Sequence, residues 1–261
     1  MASNQDPAST DPARFQERQT AAHNDVEYRL ALENYFATSI GTHVEKLQNF
    51  AKYVPRQMLT RFLSRYEIFK QVLHVQGSIV ECGVLFGGGL MTWAQLSAIL
   101  EPLNYQRKII GFDTFAGFPS LRKEDQTGTS ELSRPGGLAV DSHADLQQCV
   151  ELYDMNRPLG HLGKVELVKG DICETVPEYL RGHPHTVVSL LYLDVDVFEP
   201  TAVALRNFVP RMPKGAIIGF DELNSPLWPG ETIAVIEELG LSRLRLRRFS
   251  FDTFVSYAVI E

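Results

Sequence analysis

The sequence predicts an α/β fold, a twisted and mostly parallel sheet with helices on both faces. Short runs such as Leu190-Leu191-Tyr192-Leu193 and Ile217-Ile218-Gly219-Phe220 are apolar on both faces, as central parallel strands are. These runs alternate with segments whose apolar residues recur at three- and four-residue steps, the helical period. Most of the runs also stop at an acid, and ligands of open α/β sheets bind just beyond the carboxyl ends of such strands.

Taken in order, residues 1–20 are rich in Ala, Ser, Asp, Pro and Gln and read as a flexible leader. Over 21–53, Tyr28, Leu32, Tyr35, Phe36, Val44 and Leu47 recur at helical steps broken near Gly41. That segment reads as a helical lid or an oligomerisation element, although a helix that merely packs on the main fold has the same pattern. Residues 54–261 read as the main domain. Pro55 suits a first helical turn, and Met58, Leu59, Phe62, Tyr66, Phe69 and Leu73 trace the helix that follows. The period then changes: 78–84 is a strand, Gly87-Gly88-Gly89 a turn, and 90–100 a helix. A second strand is expected over 108–113. The polar insertion 117–158 is longer than an ordinary βα connection and has room for a helix over 144–153. Strands follow over 165–171, 186–193 and 216–220, with helices over 201–208 and 231–239. The chain ends in strands over 244–249 and 254–260, joined by a turn at Phe251-Asp252, so the last strand is expected to be antiparallel.

With 261 residues and 44% hydrophobic content the chain can bury one sizeable core. A net charge of −7, with Arg243, Arg245, Arg247 and Arg248 the one basic grouping, speaks against nucleic acid or an anionic membrane as partner. Cys82, Cys149 and Cys173 form no CxxC pair and no secretory signal is visible, so reduced thiols and a cytoplasmic location are expected. No apolar run approaches the roughly 18 residues of a membrane-spanning helix.

The chemistry begins at Glu81-Cys82-Gly83 and Gly87-Gly88. Glycines at a strand-to-helix turn let backbone approach a ligand, and the free amides of the helix start receive a carboxylate or phosphate. The G-x-G-x-x-G spacing of a dinucleotide site is absent, which disfavours a nicotinamide oxidoreductase. Glu81, Asp113, Asp171, Asp194 and Asp221 lie at or just beyond five successive strand ends. Singly, each reads as an ordinary turn former or helix cap. Together they describe a ligand that combines an amine or sulfonium, a ribose and an adenine, which is S-adenosylmethionine. Asp113 would take the ribose hydroxyls, and Asp171 the adenine amino group.

Four blocks, Val80-Glu81-Cys82-Gly83-Val84 with Gly87-Gly88, Phe112-Asp113-Thr114-Phe115-Ala116-Gly117-Phe118-Pro119, Leu193-Asp194-Val195-Asp196-Val197-Phe198-Glu199-Pro200-Thr201 and Gly219-Phe220-Asp221-Glu222, resemble the signature blocks of the macrocin O-methyltransferase family. These are class I methyltransferases that act on deoxysugar hydroxyls of macrolide and aminocoumarin antibiotics. The resemblance spans roughly 54–240. It implies a Rossmann-like class I methyltransferase fold with a seven-stranded sheet, and S-adenosylmethionine bound by Glu81, Cys82, Gly83, Gly87, Gly88, Asp113, Thr114, Phe115 and Asp171. It also implies a divalent cation, usually magnesium, on Asp194, Asp221 and Glu222. Asp194 matches the metal ligand and general base, Asp221 the first of a pair of aspartates, and Glu222 stands one methylene longer where the second would be. Asp196 is given a structural role, capping the helix near Pro200. A small-molecule glycoside or nucleotide-sugar substrate and a homo-oligomer complete the expectation.

Elementary chemistry agrees with this. A sugar hydroxyl is a poor nucleophile near neutral pH, and a bound metal with a neighbouring carboxylate would remove its proton. A phenolic or catechol O-methyltransferase would use the same acids, and loss of the metal site through Glu222 would leave a non-catalytic S-adenosylmethionine-binding partner protein. Among other side chains, His143 could reach a substrate from the insertion and Trp228 could stack on a sugar face. His183-Pro184-His185 reads as a solvated turn, His23 could act only from a lid, and Cys82 reads as a small buried residue. Arg243 to Arg248 read as the exposed face of a strand.

Overall fold

The apolar runs form the buried strands of one sheet. The computed structural model describes residues 11–17 and 24–261. In it β1 (Ser78–Cys82), β2 (Ile109–Asp113), β3 (Val165–Lys169), β4 (Val188–Leu193) and β5 (Ile217–Phe220) are parallel neighbours in the order β3-β2-β1-β4-β5. Antiparallel β7 (Ser256–Val259) joins β5, and β6 (Arg247–Arg248) joins β7 to complete seven strands. The expected strand over 244–249 shrinks to two residues because it lies at the sheet edge and pairs on one side only.

The chain divides into two units, 1–59 and 60–261. Most of the expected leader, and His23 with it, lies outside the described residues. In the first unit α1 (Asp25–Thr38) and α2 (His43–Gln48) are separated near Gly41, where Thr42 and Glu45 form a capping box that starts α2. Tyr53 packs edge-on against Phe36, with ring centroids 5.2 Å apart. No residue of α1 is buried within the described chain.

Helix α3 (Arg56–Val72) runs into the second unit, followed by α4 (Gly88–Leu100), α5 (His143–Met155), α6 (Ile172–Gly182), α7 (Phe198–Phe208) and α8 (Pro229–Glu238). Alternating strand residues feed two cores. Ile79, Ile109, Leu190 and Ile217 pack with Phe69 of α3 and Trp93 of α4. Val80, Ile110, Leu191 and Ile218 pack with Val176 of α6, Leu205 and Phe208 of α7 and Val235 of α8. Each such side chain contributes about 1.5–3 kcal/mol of burial. Helix α6 carries an internal Pro177, which reads in sequence as a breaker. Its Ile172, Val176 and Leu180, one turn apart, are nevertheless buried. None of the described helices is long and apolar enough to cross a membrane.

Candidate active site

Because the strands are parallel and ordered β3-β2-β1-β4-β5, their carboxyl ends set Asp171, Asp113, Glu81, Asp194 and Asp221 in a row along one edge. The chain reverses its winding between β1 and β4, the position where open α/β sheets bind ligands. There Gly83 (φ +87°) passes so close to β4 that a Cβ would come within 1.9 Å of the Asp194 carbonyl oxygen. Only glycine fits that approach, and it brings the glycine turn against Asp194.

On the β1–β2 side, Asp113 organises that turn. Its carboxylate accepts the N–H groups of Val84 (2.6 Å), Leu85 (2.9 Å) and Phe115 (2.6 Å). Thr114 Oγ1 donates to the Gly117 carbonyl at 2.7 Å, and Phe115 is buried at φ +54°. Gly87 (φ +81°) leaves room for Leu146, whereas a Cβ at Gly88 would meet nothing within 4 Å. The start of α4 therefore opens onto free space at Gly88, whereas Gly89 beside it lies against Glu81 and Arg65, and the first amides of a helix have no partner within it. Glu81 is buried, accepts the Trp93 indole N–H, and is pushed up by burial to about 7 against the pull of Arg65. Cys82 lies in the core and burial raises its thiol. Asp171 accepts the Cys173 N–H at 2.9 Å and caps α6. His143 opens α5 with its ring 5.1 Å from that of Phe115, on the β2 side of the row.

On the β4–β5 side the acids meet arginines. Asp221 accepts Arg61 Nη1 at 2.6 and 2.5 Å and the Tyr192 hydroxyl at 2.8 Å. Asp194, its side chain 29% exposed, lies 3.4 Å from Arg65 Nη2. Arg65 also stacks over Tyr192, 4.7 Å from the ring centroid. Burial and then the Asp221 charge raise the Asp194 carboxyl well above the carboxylate range, Arg65 opposing. Burial also works to raise Asp221, but Arg61, Arg65 and the Tyr192 hydrogen bond hold it below its ordinary value. Glu222 donates its N–H to Glu231 at 3.3 Å. Glu231 is fully buried and raised by burial and then by the neighbouring acids.

Magnesium does not fit these carboxylates as they stand. Arg61 and Tyr192 engage Asp221, and Arg65 faces Asp194. Among the described residues no three His, Cys, Asp or Glu side chains converge where an ion could sit. A cation would reach Asp221 only by displacing Arg61. Arg61→Met is therefore expected to tighten Mn2+ binding by about tenfold, equivalent to about 1.4 kcal/mol of competition removed. The free-ion EPR signal follows the titration, and an unchanged curve would show that Arg61 does not guard the carboxylate.

Other side chains take roles that local sequence does not disclose. Trp228 is 5% exposed and packs with Val197, Leu227 and Phe118, so its ring fills a small core instead of offering a face to a sugar. The cap of α7 is Asp125 of the insertion, which accepts the Phe198 N–H at 2.7 Å; Asp196 stands at φ +63° before the helix. His183 is exposed and stacks on Tyr179 at 4.1 Å, as the solvated turn requires. Arg61 and Arg65 had one available signal, their four-residue spacing on a single helix face.

The family model described as macrocin-O-methyltransferase (TylF) matches residues 56–235. A crystal structure of the calicheamicin methyltransferase CalS11 is similar with a TM-score of 0.88 and 36% identity, over 92% of this chain and 93% of that one. The apo structure of CalS11, there described as a TDP-rhamnose 3'-O-methyltransferase of calicheamicin biosynthesis, gives 0.79 and 35%, over 92% and 95%. An 8-demethyl-8-(2,3-dimethoxy-alpha-L-rhamnosyl)-tetracenomycin-C 4'-O-methyltransferase of Streptomyces olivaceus is 27% identical over 152 residues, 57% of this chain and 53% of that protein. The match thus spans about half the length of that relative.

Proposed function

The chain belongs to the macrocin-O-methyltransferase family, and from that membership we propose that it transfers the methyl group of S-adenosylmethionine to a deoxysugar hydroxyl in antibiotic biosynthesis. The observation that carries the reading is the contact between Gly83 and Asp194, which sets a partly exposed carboxylate with raised proton affinity directly beside the glycine turn. That turn suits the cofactor. Gly88 opens α4 onto free space, where unpaired amides receive a carboxylate, and Asp113 holds the loop in shape. Asp171, at the far end of the row, is the proposed partner for the adenine.

S-adenosylmethionine bound there supplies a methyl group on a positively charged sulfur. The protein's own task is to orient the acceptor and remove its proton. With the cofactor bound, Asp194 would take the hydroxyl proton while the methyl group passes to the acceptor oxygen and its bond to sulfur breaks to leave a neutral thioether, and the partly exposed side chain can return that proton to water. Arg61 keeps Asp221 anionic, and the Asp221 charge in turn favours proton uptake by Asp194. Arg65 opposes this rise. Positioning of donor and acceptor supplies much of the remaining rate.

Rhamnose is named for two relatives, which supports a 6-deoxyhexose as acceptor. Exposed Ile40, Val44 and Leu47 near α1 and α2 support a further reading of that segment as a contact between copies in a homo-oligomer. Incubation with methyl-labelled S-adenosylmethionine and a panel of rhamnose-type glycosides, nucleotide deoxysugars and a catechol tests the function. Label is expected in a sugar and not in the catechol; transfer to the catechol alone, or to nothing, would remove the reading.

A further inference from the structure

We infer that Arg61 holds the acceptor in the place expected for a divalent cation, its Nη2/Nε edge hydrogen-bonded to the hydroxyl that is methylated and to the sugar oxygen beside it. This rests on the sugar-methylation reading and adds a catalytic residue to it. The starting point is the mismatch between magnesium and these carboxylates. Asp221 commits both oxygens to Arg61 Nη1, and one of them also accepts the Tyr192 hydroxyl. The positive charge beside the end of β5 therefore belongs to the chain itself.

That ion pair uses only part of Arg61. Among the described residues its hydrogen bonds all leave from Nη1, and Nη2 and Nε donate to no side chain or carbonyl. Those two nitrogens carry parallel N–H groups, the edge of a guanidinium that meets two oxygens at once. Exposure sorts the charged groups in the same way. The Arg61 side chain is 27% exposed and that of Asp194 29%, against 3% for Asp221 and 7% for Arg65. The site thus presents one donor-rich cation and one proton acceptor, each with its counter-ion buried behind it. The Asp194 charge acts on Arg61 as that of Asp221 does, so the two presented groups are neighbours.

Arg61 is also held still. Its guanidinium lies over the Phe254 ring at 5.4 Å. Ser64 Oγ donates to Asp252 Oδ2 at 2.5 Å, which ties α3 to the loop that carries Phe254. A donor fixed before the reaction begins stabilises charge on the acceptor oxygen without reorganising. A guanidinium keeps its own protons, so it cannot serve as the base. With the cofactor bound, Asp194 receives the hydroxyl proton, the methyl group passes to the oxygen, the electron pair of its old bond stays on sulfur, and Arg61 ends unchanged.

An arginine that only props Asp221 would make the same contacts within the protein. Arg61→Ala, made in the wild type and in Asp221→Asn, separates the two roles when single turnovers are measured with EDTA present throughout. In the wild type it is expected to lower kcat by about 10²–10³-fold, the range for loss of one donor to a developing oxyanion. In Asp221→Asn it is expected to lower kcat by a further tenfold or more, about what a contact independent of Asp221 requires. S-adenosylmethionine affinity, expected to stay within about twofold, reports that each variant is folded. Adding magnesium to the wild type is expected to change the rate by no more than about twofold. An acceptor lacking the neighbouring hydroxyl is expected to lose about tenfold in kcat/KM with the wild type and nothing with Arg61→Ala. A requirement for magnesium, or no further loss in Asp221→Asn, would overturn the inference and leave sugar methylation standing. So would a collapse of S-adenosylmethionine affinity in Arg61→Ala, which would give the free edge to the carboxylate of the cofactor. Absence of transfer to any sugar, with magnesium or without it, would instead remove sugar methylation and the inference with it.

Discussion

Asp194→Asn is expected to lower kcat for methyl transfer by about 10³-fold, the middle of the range for loss of a positioned general base, while changing S-adenosylmethionine affinity by no more than about twofold. The substitution keeps the shape of the side chain and removes its ability to accept a proton. Its backbone anchor remains, since the Asp194 N–H donates to the Cys82 carbonyl at 2.8 Å whatever the side chain. The glycine turn is held from the other side by Asp113, so the cofactor half of the site has no direct stake in the Asp194 carboxylate. Arg65 loses one counter-charge but keeps its place over Tyr192 and beside Glu81. Rapid-quench measurement of a single turnover, with S-adenosylmethionine binding measured separately, distinguishes these effects. A loss of less than about tenfold would mean that another group or solvent takes the proton, and a collapse of cofactor affinity would show that Asp194 belongs to both halves.

How much of this arrangement is legible in the chain depends on the range over which each residue acts. The strands from 188 to 193 and 217 to 220 are legible because burial on both faces leaves an unbroken apolar run. Their acid ends are legible because parallel strands deliver them to one edge. Helix α6 is obscured by Pro177, where packing of Ile172, Val176 and Leu180 outweighs a single breaker. Arg61 and Arg65 lie 160 and 129 residues from their acids, and nothing in a helix stripe says that its polar flank will reach a sheet edge. The same holds for Asp125, 73 residues before the helix it caps. Local patterning therefore gives the row of acids, while the charges that neutralise them come from tertiary packing.

That distinction bears most directly on Asp113, read from the chain as a ribose ligand and found binding its own turn. Asp113→Ala is expected to raise the dissociation constant for S-adenosylmethionine by about a hundredfold and to destabilise the fold by about 2–4 kcal/mol, the cost of leaving half-buried amides without their charged acceptor. The Val84 and Leu85 N–H groups share one carboxylate oxygen and the Phe115 N–H takes the other. Asp113→Asn cannot replace both oxygens, because its amide nitrogen would face a donor, so it should fall between the wild type and Asp113→Ala in both measurements. Phe115 and Leu85 stand at φ +54° and +50°, strained conformations that those hydrogen bonds help to hold. Losing them lets the turn relax, and the cofactor must then re-order it on binding. Denaturant unfolding and calorimetric titration of the two variants provide the check. Affinity and stability falling together would place Asp113 in the service of the loop, whereas a loss of affinity at unchanged stability would give its carboxylate to the ribose.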